Sequence, residues 1–334
     1  MGGSRMDNAA RRAIRITETT LLLSALVLFI VGTTSGDTFY LRLATEALIL
    51  GGLALSVDLL LGIVGLLSLG QALYFGFGAY LSAVVLKEVY PSLALSLLVV
   101  ALASAAVGYL ASFIALRSKG VYFALITFGL AQIMAKVIYN TRELGASDGL
   151  IGVPVLQVWT PFGVLDTANP GVLFAITLGI VGVLYAVLRY LLTTPMGQIW
   201  RGVQSNEHRL EFIGVDPRGP KRFAFVIAAI VAAVSGALYP VLRGFVSPEL
   251  LYFAVSGNAV ITVILGGVGT LIGPIMGAVL LTLFKSVVGT FTAHHHIIVG
   301  IIFVIVVINA PKGLVGFLAG RLTRRSEGAP HGRD

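Results

Sequence analysis

Cysteine is absent from this 334-residue chain, and only 11% of its residues are charged. The first absence excludes disulfides and thiolate metal sites, and it removes redox compartment as an inference. The second excludes an ordinary soluble domain, in which about a quarter of residues carry charge. No Gly-x-x-x-x-Gly-Lys-Ser/Thr run occurs, so there is no P-loop to hold nucleotide phosphates on backbone N–H groups. Nothing resembles a catalytic triad or a paired-carboxylate site, and the chain does not read as an enzyme.

What is present is apolar: 57% of residues are hydrophobic, and the mean hydropathy is +0.95. Single soluble cores stop growing beyond about 250–300 residues, whereas a bilayer accepts one helix per roughly 20 apolar residues. Forty glycines suit close helix contact in lipid. The net charge of +8 does not point to nucleic acid, because the basic residues lie between and outside the apolar blocks.

The expected fold is an all-α, polytopic helical bundle. About ten apolar blocks occur, at 16–34, 42–61, 71–89, 92–115, 121–139, 171–191, 222–242, 254–266, 271–290 and 296–310. The stretch 254–273 is interrupted by Gly266, Gly267, Gly269 and Gly273, so it reads as a short or broken helix. Block 16–34 is long for a signal-peptide core, and no A-x-A-like site follows it before Asp37, so it reads as an uncleaved first helix. Arg5, Arg11, Arg12, Arg15, Arg117, Lys119, Arg201, Arg209, Arg218, Lys221 and Lys312 fall on one side of a ten-span arrangement. Arg42, Lys87, Arg142 and Arg243 fall on the other. The positive-inside bias then places both termini, residues 1–15 and 311–334, in the cytoplasm. A nine-span arrangement would put one basic end outside.

Residues 67–71, Leu-Ser-Leu-Gly-Gln, differ by one residue from Leu-Ser-Gly-Gly-Gln, a signature of ATP-binding-cassette ATPases. Without a P-loop, and between two apolar blocks, the match carries no ATPase meaning. Gly65, Ser68, Gly70 and Gln71 instead suit a helix break. Irregular backbone at membrane depth is tolerated only against protein or a water-filled path. The break therefore either lines a transport pathway or serves glycine-mediated packing. Residues 61–67 weakly echo 265–271, a likeness that chance explains in a chain rich in Gly, Leu and Val.

Charged residues inside spans are costly, about 2.5–3.5 kcal/mol on insertion scales. Asp58 is the sharpest instance; it can be protonated, pair with a base such as Arg117, face water, or reach the interface from a helix end. Glu46 has Arg42 at i−4 as an expected partner, and Lys136 and Lys285 are within reach of helix ends. Gln132 and Asn258 either contact a ligand or bond neighbouring helices. His294-His295-His296 lacks a nearby carboxylate and reads as a polar loop, not a metal site.

Segment 192–221 is the longest polar stretch on the basic side. Residues 198–213 can form an amphipathic helix, stopped by Gly214 and then Pro217. Glu207 and Glu211 share a face. The segment reads as a docking site for a partner or as a membrane-surface helix without one.

Five segments in order carry a family resemblance: 62–80, 119–127, 147–154, 265–274 and 311–314. Together they resemble the permease subunits of branched-chain amino acid ABC importers over roughly residues 42–320, closer to the LivM-type than to the LivH-type subunit. The resemblance implies a plasma (bacterial inner) membrane protein. It implies a second permease chain, two cytoplasmic ATPase subunits carrying ATP and Mg, and an extracytoplasmic solute-binding protein approaching the outer loops, chiefly 140–170. No cofactor is expected on this chain and no nucleic acid. The family's docking helix is Ala-rich; here Glu207, Arg209, Leu210, Glu211 and Gly214 stand in the matching segment, with Arg209 and Leu210 where small residues are usual. Asp58, Gly65, Ser68, Gly70, Gln71, Gly266, Gly267 and Gly269 are the candidates for helix breaks on the pathway. Branched-chain amino acids are the expected solute. Urea, amides and aromatic or dicarboxylic acids are alternatives within the family, and an ion-coupled secondary transporter using Asp58 is the competing class.

Overall fold

The computed structural model describes residues 38–160 and 163–291, together with Gly300 and Gly313. Its centre is helix α1 (Thr38–Asp58), which continues as a π-helical turn over Leu59–Val64 and stops at Gly65, where φ is +82°. Apolar on every side, α1 is almost wholly buried, as a helix without a polar face must be. Around it pack α5 (Pro170–Thr193), α7 (Arg218–Ala237) and α10 (Ile272–Phe291). Helix α2 (Gln71–Val84) packs between α7 and α3 (Leu93–Ala115), and α4 (Val121–Asn140) lies beside α2. Local signals agree with these limits. Ser92 caps α3 by accepting from the Leu95 N–H, and Asn169 caps α5, ahead of Pro170, by accepting from the Gly171 N–H.

Seven of the described helices are long and apolar enough to cross a membrane. Thr38–Val64, Gln71–Val89, Leu93–Ala115, Val121–Asn140, Pro170–Thr193 and Ile272–Gly289 agree with the expected blocks. The block expected at 222–242 agrees as well, as Arg218–Arg243, in which α7 passes at Leu238 into a short α8 (Tyr239–Arg243) that carries Pro240 in its first turn. The block at 254–266 is indeed short, a 14-residue α9 (Phe253–Gly266) followed by a turn at 267–271. Blocks 16–34 and 296–310, His294–His296 and both termini lie outside the described residues.

Between α5 and α7 runs α6 (Pro195–Phe212), the helix of the long polar segment. The opposite end of the bundle carries the small amount of sheet. There β1 (Leu150–Ile151) pairs with β4 (Phe245–Val246), and β2 (Gln157–Thr160) with β3 (Gly163–Asp166), both antiparallel. Glu46 is not paired with Arg42, as the i−4 spacing suggested. It bonds Arg243 at 2.8 Å across the bundle. Spacing along one helix sees only local partners, whereas Gly244, at φ +75°, turns the chain just after Arg243 and leaves that side chain facing α1.

Small residues set the closest approach. A Cβ on Gly236 of α7 would overlap the Phe75 backbone of α2, and one on Gly78 would overlap Ala233. Ser82 reinforces the contact by donating to the Ala237 carbonyl (2.9 Å) while accepting from Ser96 of α3 (2.8 Å). Interhelical hydrogen bonds of this kind contribute about 0.6 kcal/mol on average. Gly236→Val should therefore disrupt the α2–α7 contact and lower the thermal midpoint of the detergent-solubilised protein sharply. Gly129→Ala, in α4 with nothing within 4 Å of its added methyl, should leave the midpoint unchanged or slightly raised.

Candidate functional site

Two helix breaks meet at the end of the bundle that carries α6. The first follows the π-helical turn that ends α1, and the second is the 267–271 turn between α9 and α10. A Cβ on Gly62 would overlap both the Asp58 carboxylate and the Gly269 backbone. Asp58, fully buried, joins the two breaks: Oδ1 accepts the Gly269 N–H at 2.6 Å, and Oδ2 accepts the Leu271 N–H at 3.0 Å. The carboxyl thus sits at the start of α10, where the helix dipole favours negative charge. Thr270 completes the cap by accepting from the Gly273 N–H. Gly269 takes φ +78°, and Leu271, a residue with a Cβ, takes φ +57°. Such a conformation costs on the order of 1 kcal/mol and persists where surroundings over-determine it; here the Asp58 bond does so.

From Gly65 the chain runs back into the bundle without helical structure until Gln71. Ser56 lies eight residues before Val64, about 12 Å along the helix, and its hydroxyl reaches Gln71 Oε1 at 3.4 Å. Helix α2 thus begins inside the bundle. Backbone groups there have no water, so the protein must supply partners. The Ala72 N–H donates to Ser256 Oγ of α9 (2.9 Å), the Leu69 N–H to Thr127 Oγ1 of α4 (3.2 Å), and the Gly70 N–H to Ser68 Oγ (3.3 Å). Ser56, Ser68, Gln71, Thr127 and Ser256 are all buried. Gly70 is required because a Cβ there would run into the Thr127 carbonyl.

Helix α6 is fastened to the first break. Gln204 Nε2 donates to the Gly62 carbonyl at 2.6 Å, satisfying one of the carbonyls that a helix end leaves open. Trp200, fully buried, stacks on Phe223 with ring centroids 6.0 Å apart and donates Nε1–H to the Pro220 carbonyl. Glu207 lies 2.7 Å from Lys221 Nζ of α7 and 3.4 Å from Lys119 Nζ of the turn before α4. Burial alone would raise the Glu207 pKa, but the Lys221 hydrogen bond and the charges of Lys221 and Lys119 outweigh it and hold it below 4.5. The helix is interrupted at Asn206 (φ −167°, ψ 104°), whose Oδ1 accepts the Arg209 N–H and restarts the last turns.

The expected site residues therefore separate into groups. Asp58, Gly266, Gly267 and Gly269 form the second break and its clasp, and Ser68, Gly70 and Gln71 surround the start of α2. Gly65 faces Gln204. In the expected docking segment, Glu207 turns inward to its lysines, Leu210 packs over Gly202, Glu211 meets His208 at 3.3 Å, and Arg209 is exposed. Gly214 ends the segment at φ +83°. Asp58 meets two backbone N–H groups, not Arg117 and not solvent. Pairing rules anticipate side-chain partners, and a strained turn more than 200 residues away is invisible to them. The echo between 61–67 and 265–271, set aside as chance, marks two segments that touch. Sequence reasoning missed Ser56, Thr127, Gln204 and Ser256, since single hydroxyls and amides in apolar runs carry no spacing signal.

Residues 39–307 match the family model described as "Branched-chain amino acid transport system / permease component". The high-affinity branched-chain amino acid transport system permease protein LivM of Salmonella typhimurium is 29% identical, over 85% of this chain and 72% of its own length. LivM of Escherichia coli is also 29% identical, over 82% of this chain and 69% of its own. The LivH permease of Salmonella typhimurium is 20% identical, over 85% and 93%. No solved structure matches.

Two outcomes follow from the clasp and the ion pair. Asp58→Leu leaves two buried N–H groups without an acceptor, at about 1–3 kcal/mol each. Asp58→Asn keeps an acceptor for one of them, so thermal midpoints should fall in the order wild type, Asn, Leu. A depressed carboxylate pKa means the Glu207 contribution is present above pH 4.5 and lost as pH falls below it. The gap in thermal midpoint between wild type and Glu207→Gln should close as pH drops through that range.

Proposed function

The chain belongs to the branched-chain amino acid transport permease family, and on that premise we propose that it is the membrane-spanning subunit of an ABC importer for branched-chain amino acids. In this reading it binds no nucleotide. Separate ATPase subunits dock on α6 and hydrolyse ATP with Mg, a second and different permease chain completes the pathway, and an extracytoplasmic binding protein delivers solute to the outer loops. The chain sits in the bacterial inner membrane with about ten spans and both termini in the cytoplasm.

The observation that carries the reading is the fastening of α6. A surface helix with no function beyond covering lipid needs no hydrogen bond to a helix break. Here Gln204 holds the Gly62 carbonyl, and Gly62 abuts Gly269, on which Asp58 closes. A push on α6 would reach α1 and α10 through rigid, hydrogen-bonded backbone, and switching then needs ligands that favour one arrangement over another. Ion coupling through Asp58 loses its support, because both carboxylate oxygens are already engaged by backbone.

Gentle affinity purification of the chain from its native membrane, followed by mass spectrometry, tests this. Recovery of a P-loop ATPase and a second permease is the expected result. The chain alone, active in liposomes without ATP, would overturn it. In the intact transporter, Gln204→Leu should cut solute uptake several-fold while ATPase subunits still co-purify. Gly214→Val, which forces a β-branched residue into φ +83°, should weaken their recovery.

A further inference from the structure

The turn between α3 and α4 and the start of α7 bring four cations to one edge of the bundle, at the end that carries α6. Lys119 Nζ and Lys221 Nζ lie 3.4 and 2.7 Å from the single carboxylate they share, Glu207. Arg222 follows Lys221 in α7 and lays its guanidinium over the Phe113 ring of α3, 4.3 Å from the ring centroid. Arg117, exposed, comes four residues after Phe113, just past the end of α3. Among the described residues neither Arg117 nor Arg222 has a carboxylate partner, and Arg222 Nε is buried with no hydrogen bond. Buried donors are ordinarily paired, so this edge is short of an acceptor. A guanidinium fork matches the oxygens of a phosphate.

What flanks the cations points to the source of that phosphate. Leu110, Phe113 and Ile114 form one stripe on α3, and all three are exposed, Leu110 to 67%. Across the turn, Val121 and Tyr122 open α4 in the same condition, Tyr122 being 74% exposed. Both helices are long and apolar enough to cross a membrane. These bare apolar side chains therefore face acyl chains, and the cations stand directly beyond them, at headgroup level. Tyr122 is suited to that boundary, where aromatic rings with a polar tip collect.

We propose that Arg117, Lys119 and Arg222 bind the phosphate of an anionic phospholipid in the leaflet on the α6 side, with its tails along the Leu110–Ile114 stripe. Headgroups bearing choline or ethanolamine carry their own cation and offer this edge no net charge. Phosphatidylglycerol does. The proposal goes beyond the importer reading and needs only that α3, α4 and α7 cross a membrane. Because Lys119 and Lys221 also hold Glu207 of α6, the lipid would sit against the anchor of that helix.

The test is native mass spectrometry of the detergent-purified protein, together with whatever chains accompany it, beside its thermal midpoint. Phosphatidylglycerol should be retained and should raise the midpoint by several degrees, whereas phosphatidylcholine and inorganic phosphate should do neither. Arg117→Gln should weaken retention about fivefold, and Arg117→Gln with Arg222→Gln about thirtyfold, at the usual worth of a basic residue near an anionic lipid surface. Arg117 is exposed and unpaired, so its substitution tests the site without disturbing packing. Arg142→Gln, which removes an exposed cation at the opposite end, should leave retention unchanged. Equal retention by wild type and the double variant overturns the site. An equal loss in Arg142→Gln reduces the effect to net charge and overturns it too. A midpoint raised as much by inorganic phosphate assigns the cluster to a free anion, and one raised as much by phosphatidylcholine removes the headgroup selectivity; either result overturns the proposal.

Discussion

The Asp58 carboxylate, shared between the N–H groups of Gly269 and Leu271, is the constraint on which the arrangement of this permease depends. It ties the end of the most buried helix to the start of α10, and it stabilises a turn whose backbone is unfavourable on its own. Burying a carboxylate in an apolar bundle is expensive unless its acceptors are used. The same bonds that offset that cost define where α10 begins. Gly62 and Gly269 touch because nothing larger than hydrogen fits between them, so the clasp and the glycine contact require each other.

Once α1 ends at Gly65, the chain must cross back into the bundle before α2 can start. That crossing exposes N–H groups where there is no water. The hydroxyls of Ser68, Thr127 and Ser256, drawn from α4, α9 and the crossing itself, take them up. Three segments far apart in sequence are thereby held in one register.

At the surface, α6 joins the same system through one amide. Trp200 and the Glu207–Lys221 pair anchor the helix to α7, and Gln204 anchors it to the break. Beyond the kink at Asn206, Glu207 still faces Lys221, and the helix then ends with Phe212 and Ile213 largely exposed. One part of the helix grips the bundle, and the other is presented outward.

Much of this was legible in the sequence. Lipid-scale apolar runs set the helices, because period and length need no partner to be read. The four glycines after Leu265 announced a broken helix, since backbone freedom is a local property. The candidates Asp58, Gly65, Ser68, Gly70, Gln71 and Gly269 were likewise found from residue type at depth. Which of them meet was decided only by tertiary structure. Asp58 finds backbone N–H groups more than 200 residues away, Glu46 passes over Arg42 for Arg243, and Gln204 reaches Gly62. A hydrogen bond across a bundle leaves no periodicity in either strand of sequence. The amino-acid order determined where helices form and where they fail, and packing determined what each failure is for.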